Sequence, residues 1–271
     1  MQRSTPVPMA LPDLHPVGSR ARARALPEEV PVALVYNGST LAVMMASPVD
    51  LEEFALGFSL TEGIVTAPGQ LGEVEVVTHP KGIELRMWLQ ADRAGVLEQR
   101  RRALAGPVGC GLCGIDSLDQ ALRTLPPVSG GAMRLTSADI VAAVEGLRDC
   151  QPLHDATHAV HAAGFYLPGT GMMCAREDVG RHNALDKLAG ALAQGGIAPG
   201  TGAVVLTSRV SADMVQKAAA IGAPCVIAVS APTTMGVQVA EETGLTLIAR
   251  ARGGTYEVFA HAHRIDTGGP Q

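Results

Sequence analysis

A chain of 271 residues with 47% apolar side chains can bury a sizeable core, which excludes disorder over most of its length and fits one large domain or two small ones. A net charge of −5 with only 3% aromatic residues excludes a general nucleic-acid binder, because phosphates need a basic face and single strands need stacking platforms. Residues 188–208 and 218–240 lack charge, but Gly, Pro, Gln, Ser and Thr interrupt both, so neither reads as a membrane span. No apolar core with a small-residue cleavage site opens the chain, and five cysteines are too few and odd in number for a disulfide framework. A cytoplasmic protein with reduced thiols, bound to neither membrane nor nucleic acid, is expected.

Residues 1–25 hold four prolines and no apolar period, the composition of a disordered tail. Order is predicted to begin near Val30. Val32–Val35 and Leu41–Met45 flank Asn37-Gly38, a hairpin signal. A helix should follow, capped by Asp50 with Glu53 in the capping-box position and with Leu51, Phe54, Ala55 and Phe58 on one face. Val74–Val77 and Ile83–Leu89 read as strands about a Pro80–Gly82 turn. Residues 26–105 therefore form a small α+β unit.

Residues 106–131 are punctuated by Gly and Pro and carry Gly109-Cys110-Gly111-Leu112-Cys113-Gly114, a flexible loop between domains. From 132 to 271 the pattern becomes strand–helix alternation. Thr136 and Asp139 make a capping box ahead of Ile140, Val141, Val144 and Leu147, and Leu185, Leu188 and Leu192 mark a helix after Arg181. Ala203–Leu206, Cys225–Val229 and Leu245–Ile248 read as buried strands. Helices from Ser211 to Gly222 and from Thr234 to Thr243, the second stopped by Gly244, connect them. Such alternation implies parallel strands with helical crossovers.

The Cys110-x-x-Cys113 pair has three readings: half of a zinc site, a redox dithiol, or a nucleophilic thiol with a neighbour. Cys150, Cys174 and Cys225 are each solitary, so no second pair completes a zinc site. The surrounding glycines leave both sulfurs open to a bulky partner. Cys150, His154, His158 and His161 recur at near-helical spacing and form a rival metal reading, weakened by Pro152. Arg181, His182, Asn183 and Lys187 crowd one helix start, where backbone N–H groups and guanidinium groups favour anions. Ser208 and Arg209 follow one proposed strand, and Ser230 and Thr233 follow another, so all three polar clusters fall at strand carboxyl ends. A sizeable phosphorylated ligand fits such an edge. No Gly-x-Gly-x-x-Gly or Walker sequence is present.

Cys110-Gly-Leu-Cys-Gly114, Glu177-Asp-Val-Gly-Arg-His-Asn-Ala-Leu-Asp-Lys187, Ser208-Arg-Val-Ser211 with Met214-Val-Gln-Lys217, and Ser230-Ala-Pro-Thr233 together resemble the formate dehydrogenase accessory sulfurtransferase family, FdhD. The resemblance runs from about Glu29 to Arg264. It implies a cytidine-deaminase-like α/β fold for the larger domain and a cytoplasmic homodimer. It also implies that the protein carries sulfur from a cysteine desulfurase to the bis-molybdopterin guanine dinucleotide form of the molybdenum cofactor of formate dehydrogenase. Cys110 then corresponds to the persulfide carrier, with Cys113 beside it. Arg250, Ala251, Arg252, Gly253, Gly254 and Thr255 correspond to part of the cofactor-binding segment, for which GDP or GMP would be partial mimics. The chain departs from the family pattern before His161, at Met44–Ala46, and at Glu257, where Asn is usual.

A deaminase-like fold raises the alternative of a zinc deaminase, which needs His-x-Glu and Pro-Cys-x-x-Cys. His161 is followed by two alanines and Pro224-Cys225 by Val, Ile and Ala, so both halves fail and no metal site is assigned. Two other readings are a cofactor chaperone without sulfur chemistry and a zinc-binding module.

Overall fold

The computed structural model describes residues 7–10, 23–90, 93, 95–98, 123, 125–129, 131 and 133–266. The cysteine-bearing stretch of residues 106–122, with Cys110 and Cys113, lies outside the described residues. Strand β1 (Val7–Ala10) pairs antiparallel with β2 (Ala23–Leu26), which places order in two stretches of the expected tail. A two-strand ladder is made by backbone groups, so no apolar period announces it. Strands β3 (Val30–Tyr36) and β4 (Ser39–Ala46) form the expected hairpin, with Asn37 at φ 50° and Gly38 at φ 78°, as a two-residue hairpin turn requires. Helix α1 (Leu51–Thr61) follows, then β5 (Glu75–His79) and β6 (Gly82–Met87). The four strands make one sheet in the order β4-β3-β6-β5. Val32, Leu34, Tyr36, Leu85 and Met87 form a core with Phe54, Ala55 and Phe58 of α1.

The start of α1 differs from the expectation. Asp50 sits at the N-cap at φ 54° and makes no side-chain cap. Its carboxylate lies 3.7 Å from Arg176 Nε, and Glu53 pairs with the same guanidinium, Arg176 Nη2 donating to Glu53 Oε1 at 2.6 Å. A bidentate partner from a distant strand outcompetes a capping N–H for these carboxylates.

The remainder runs β7 (Leu135–Thr136), α2 (Ser137–Arg148), α3 (Pro152–Thr157), β8 (His161–Leu167), β9 (Gly171–Asp178), α4 (Arg181–Gln194), β10 (Ala203–Leu206), α5 (Ala212–Ala220), β11 (Cys225–Ala228), α6 (Thr234–Thr243), β12 (Thr246–Arg252), β13 (Thr255–Ala260) and β14 (Ile265–Asp266). The capping box at α2 is present, with Asp139 N donating to Thr136 Oγ1 at 3.1 Å and Thr136 N to Asp139 Oδ2 at 2.9 Å. The large sheet has the order β13-β12-β11-β10-β8-β9. Within it only β10, β11 and β12 are mutually parallel; β8, β9 and β13 run antiparallel to their neighbours, so the sheet is mixed. The last parallel strand does not stop at Ile248. It continues to Arg252, turns at Gly253-Gly254 (φ 58° and 77°) and returns as β13. Arg250 and Arg252 interrupt the apolar run at an exposed end, which hides this extension from a periodicity argument.

Alternate residues divide the sheet's faces, as strand geometry requires. Val204, Leu206, Val226, Ala228, Leu247 and Ala249 pack under α4, α5 and α6. Ala203, Val205, Cys225, Ile227 and Ile248 pack against Ile140, Ala143 and Leu147 of α2. The molecule is thus a three-layer α/β arrangement joined to the smaller sheet through α1.

That joint is unusually close. A Cβ at Gly57 of α1 would lie 1.6 Å from the Asp186 carbonyl oxygen of α4, and one at Gly190 of α4 would lie 1.9 Å from the Glu53 carbonyl oxygen. Two backbones in contact leave room only for glycine. Gly190→Ala is therefore expected to cost about 3 kcal/mol or more, read as a lower urea midpoint. Gly69→Ala, where nothing lies within 4 Å, should stay within about 0.5 kcal/mol of the parent.

Candidate functional site

The register gathers the polar clusters on one edge. β10, β11 and β12 all end there, with Leu206 opposite Ala228. Antiparallel β8 begins there, Leu206 facing Ala163, and His161 pairs with Asp178 at the end of β9. Helix α4 starts immediately after, at Arg181. The loops after β10 and β11 are stitched together, Val210 N donating to the Ala231 carbonyl at 3.2 Å and Thr233 N to the Val210 carbonyl at 2.9 Å. Arg250 N donates to the Ser230 carbonyl at 3.0 Å. Carboxyl ends of strands in open α/β sheets are where ligands bind.

Two charged rungs join α4 to α5 below this edge. His182 Nε2 pairs with Asp213 Oδ2, both side chains nearly buried. One helical turn deeper, Lys217 Nζ lies 2.9 and 3.0 Å from the two Asp186 carboxylate oxygens, 3.1 Å from Thr61 Oγ1 and 2.7 Å from Glu62 Oε1. The sequence carries the signal for this ladder: His182/Asp186 and Asp213/Lys217 are both four apart, with charges in opposite order. Burial would discharge the Lys217 ammonium, but Asp186 and Glu62 outweigh it and hold its pKa up. Burial likewise raises Asp213, yet the hydrogen bond and charge of His182, with Ser211 and Arg181, bring its carboxyl down to about 2. His161 is pushed down by burial and by the charges of Arg181, His182 and Arg209. These four side chains therefore share one electrostatic neighbourhood. Arg181 and Arg209 make no ion pair among the described residues, and Arg181 Nε is buried without a hydrogen-bond partner.

The other predicted residues fall into distinct places. Lys187 is fully buried, its Nζ 2.6 Å from Asp178 Oδ2 and donating to the Ser47 carbonyl at 2.9 Å. Asn183 Nδ2 donates to the Met45 carbonyl at 2.8 Å and to Asp178 Oδ1 at 2.9 Å. Both fasten the end of β4 to α4, a role that Asp178, Met45 and Ser47 share and that motif reading missed. Ser208 is buried with its hydroxyl on the Arg209 carbonyl, and Thr233 Oγ1 accepts from Gly236 N to cap α6. Ser230 contributes its carbonyl to Arg250. Arg250, at φ 52°, lies in a bulge of β12, where its guanidinium meets Glu257 at 3.2 Å. Ala251, Arg252, Gly253, Gly254 and Thr255 flank a shallow groove of about 30 Å3 whose opposite wall is Ile140, Val144 and Glu145 of α2. The groove sits three strand positions from β8, about 14 Å at ordinary strand spacing, and on the α2 face of the sheet.

Of the histidine cluster only His161 reaches the site. His158 ends α3 in a left-handed conformation, with its ring edge-on to His154 at 5.3 Å. Glu177 accepts the Leu153 and His154 backbone N–H groups at 2.8 Å each. Among the described residues no group of three His, Cys, Asp or Glu is placed to hold a metal ion. Cys225 is buried in β11, where burial pushes its thiol up to about 12.

Comparison with known proteins matches residues 27–266 to the FdhD/NarQ family. A sulfur carrier protein FdhD from Agrobacterium fabrum is 52% identical over 242 residues, 89% of each chain. One of the same name from Cupriavidus necator is 50% identical over 238 residues, 88% of this chain and 82% of that one. A crystal structure described as a formate dehydrogenase accessory protein from Desulfotalea psychrophila superposes with a TM-score of 0.78 at 26% identity, covering 96% of this chain and 99% of the other. No described helix is long and apolar enough to cross a membrane.

Two measurements separate the structural charges from those on the edge. Lys187→Met leaves the Asp178 carboxylate buried without its cation and is expected to cost about 3–5 kcal/mol in chemical denaturation, whereas Arg209→Ala should leave stability within about 0.5 kcal/mol. Because Asp213 titrates lower in the folded than in the unfolded chain, its contribution, up to about 2 kcal/mol, is complete above about pH 4 and is lost as pH falls toward 2. Asp213→Asn should flatten that part of the stability–pH curve.

Proposed function

The chain belongs to the FdhD/NarQ family, and from that premise we propose that it is a sulfur carrier acting for formate dehydrogenase, taking persulfide sulfur from a cysteine desulfurase and delivering it to the molybdenum cofactor in its bis-molybdopterin guanine dinucleotide form. The cationic edge carries this reading: two arginines, Arg181 and Arg209, without acidic partners among the described residues, at the edge where the parallel strands end, in a chain whose relatives are named sulfur carriers. The proposal includes a cytidine-deaminase-like larger domain, supported by the mixed three-layer sheet, and a cytoplasmic homodimer.

Cys110 thiolate attacks the terminal sulfur of the desulfurase persulfide. A new S–S bond forms on Cys110 and the desulfurase thiolate leaves, with no net redox change. Cys113 thiolate can then attack Cys110 Sγ, closing a disulfide and expelling HS−. The dithiol thereby supplies the two electrons that turn sulfane sulfur into sulfide, and an external thiol must later reopen the disulfide. The cofactor is cargo. Arg181 and Arg209 offer charge to its phosphates, and the 250–255 turn offers backbone N–H groups and Arg252 beside the groove. A guanidinium can engage two phosphate oxygens at once.

The competing reading, a chaperone that binds the cofactor without sulfur chemistry, needs the edge but not the cysteines. Mass spectrometry after incubation with desulfurase and cysteine should show one added sulfur on the parent and on Cys113→Ala, and none on Cys110→Ala. Formate dehydrogenase activation should be abolished by Cys110→Ala and weakened by Cys113→Ala. Activation retained by Cys110→Ala refutes the carrier role in favour of the chaperone. In parallel, millimolar GDP or GMP should raise the melting temperature by mass action, and Arg252→Ala should shrink that rise. An unmoved melting curve for the parent refutes the nucleotide site.

A further inference from the structure

We infer that the free edge of β5, with the cavity beside it, is a docking site for an extended basic segment of a partner protein. The segment's main chain adds a strand to the smaller sheet, and one of its arginine or lysine side chains enters the cavity. Strand β5 stands at the end of the order β4-β3-β6-β5, with β6 on one side and no strand on the other among the described residues. The two-residue turn at Pro80-Lys81 makes His79 and Gly82 a hydrogen-bonded pair, so Val77 with Glu84 and Glu75 with Arg86 are hydrogen-bonded pairs too. The N–H and C=O groups of Val76 and Thr78 therefore point away from β6, to the open side. An unpaired row of this kind is what an added strand recognises.

What lies next to the edge selects the occupant. Leu71 pairs with Leu89 and Glu75 with Arg86, so the stretch before β5 holds one more residue than its partner and bulges. Beside the bulge opens a cavity of about 290 Å3 lined by Glu52 and Leu56 of α1, by Leu71, Glu73 and Val74, and by Gln194 at the end of α4. Small-molecule pockets begin at about 300 Å3, so this one suits a single long side chain. Leu56 and Leu71, both nearly buried, form an apolar floor for a methylene stem, and the exposed Glu52 and Glu73 supply carboxylates for its charged head. Neither has an ion pair among the described residues, whereas Glu75, Glu84, Arg86 and His79 on the sheet's outer face pair with one another. Val76 shares the inner face with Leu85 yet is 38% exposed, so apolar surface and negative charge occur together here. A strand laid along β5 presents alternate side chains to that face, which sets the spacing of its basic residues. The site lies at the far end of the 14-residue α4 from Arg181, about 20 Å away at 1.5 Å per residue, and is therefore separate from the cationic edge.

The probe is a dye-labelled peptide of alternating valine and arginine, titrated into the full chain and read by fluorescence anisotropy. Saturable binding is expected, and the same peptide with glutamate in place of arginine should not bind. Glu52→Gln combined with Glu73→Gln should weaken binding about fivefold or more. Both positions are exposed, so the melting temperature should stay within about 2 °C of the parent. A fully N-methylated peptide keeps the charge but lacks main-chain donors, and should bind about tenfold or more weakly. In hydrogen exchange of the complex the Val76 and Thr78 amides should slow about tenfold, while that of Val77, already bonded to β6, changes little. Undiminished affinity in the doubly substituted chain, equal binding of the N-methylated peptide, or no slowing at Val76 and Thr78 overturns the inference. So does sedimentation showing that the parent dimerises and that the peptide dissociates the dimer, because the edge then serves a second copy of this chain.

Discussion

The contact between α1 and α4 is the constraint on which the rest of this molecule depends. Glycines at 57 and 190 let the two backbones touch, and that approach brings α1 over two buried ammonium groups. Phe54 lies 6.0 Å below Lys187 Nζ and Phe58, one turn on, 5.2 Å from Lys217 Nζ, both within reach of an aromatic face. Thr61 and Glu62 then complete the coordination of Lys217. A charge in such a place is tolerated only when every partner is present. The smaller sheet and the large one are therefore coupled through electrostatics as well as through apolar packing.

The same constraint sorts the charges of the polar motif. Asp178 is committed to Lys187, Asp186 to Lys217, Glu53 to Arg176 and Asp213 to His182. With these acids consumed, Arg181 and Arg209 face the edge without a carboxylate partner among the described residues. A run that reads in sequence as one ligand-binding cluster is thus two layers: a buried layer that fastens β4 to α4, and an outer layer that keeps unneutralised positive charge where the strands end. The buried layer sets the electrostatics of the outer one, because each acid it removes from the edge leaves a cation there unscreened.

Much of this fold is legible in the amino-acid order. Asn37-Gly38, the Thr136–Asp139 capping box, Gly244 and the apolar runs of β10 and β11 act within a few residues of themselves, and the structure agrees with each. That Asp50 and Glu53 would not cap α1 was not legible, because Arg176, more than a hundred residues away, takes those carboxylates. The β12–β13 hairpin was hidden by two arginines at the exposed end of a strand. At the site, the sequence singled out Arg181, His182, Arg209 and the 250–255 turn as polar, but it had no means of separating Lys187 and Asn183 from them. Burial decides that difference, and burial is a property of the packed helices. The paired i,i+4 spacing of His182/Asp186 and Asp213/Lys217 was the one local clue to the ladder, and it becomes readable only once α4 and α5 are known to be neighbours.

The edge also fixes the kind of ligand geometry the molecule can serve. The arginine–histidine neighbourhood lies at the mouth of β8 and β10, near the covered face under α4 and α5, while the Gly253-Gly254 turn opens onto the α2 face about 14 Å away by strand spacing. The stitched loops at Val210, Ala231 and Thr233 and the Arg250–Ser230 hydrogen bond hold those two places at a fixed separation. A ligand that touches both must cross the end of the sheet, so a mononucleotide can report on one place at a time. In the proposed role, an elongated cargo with anionic groups near one end would engage both and be oriented by the crossing. The order of sites along the edge, more than the identity of any one residue, is what this fold contributes to a directed transfer.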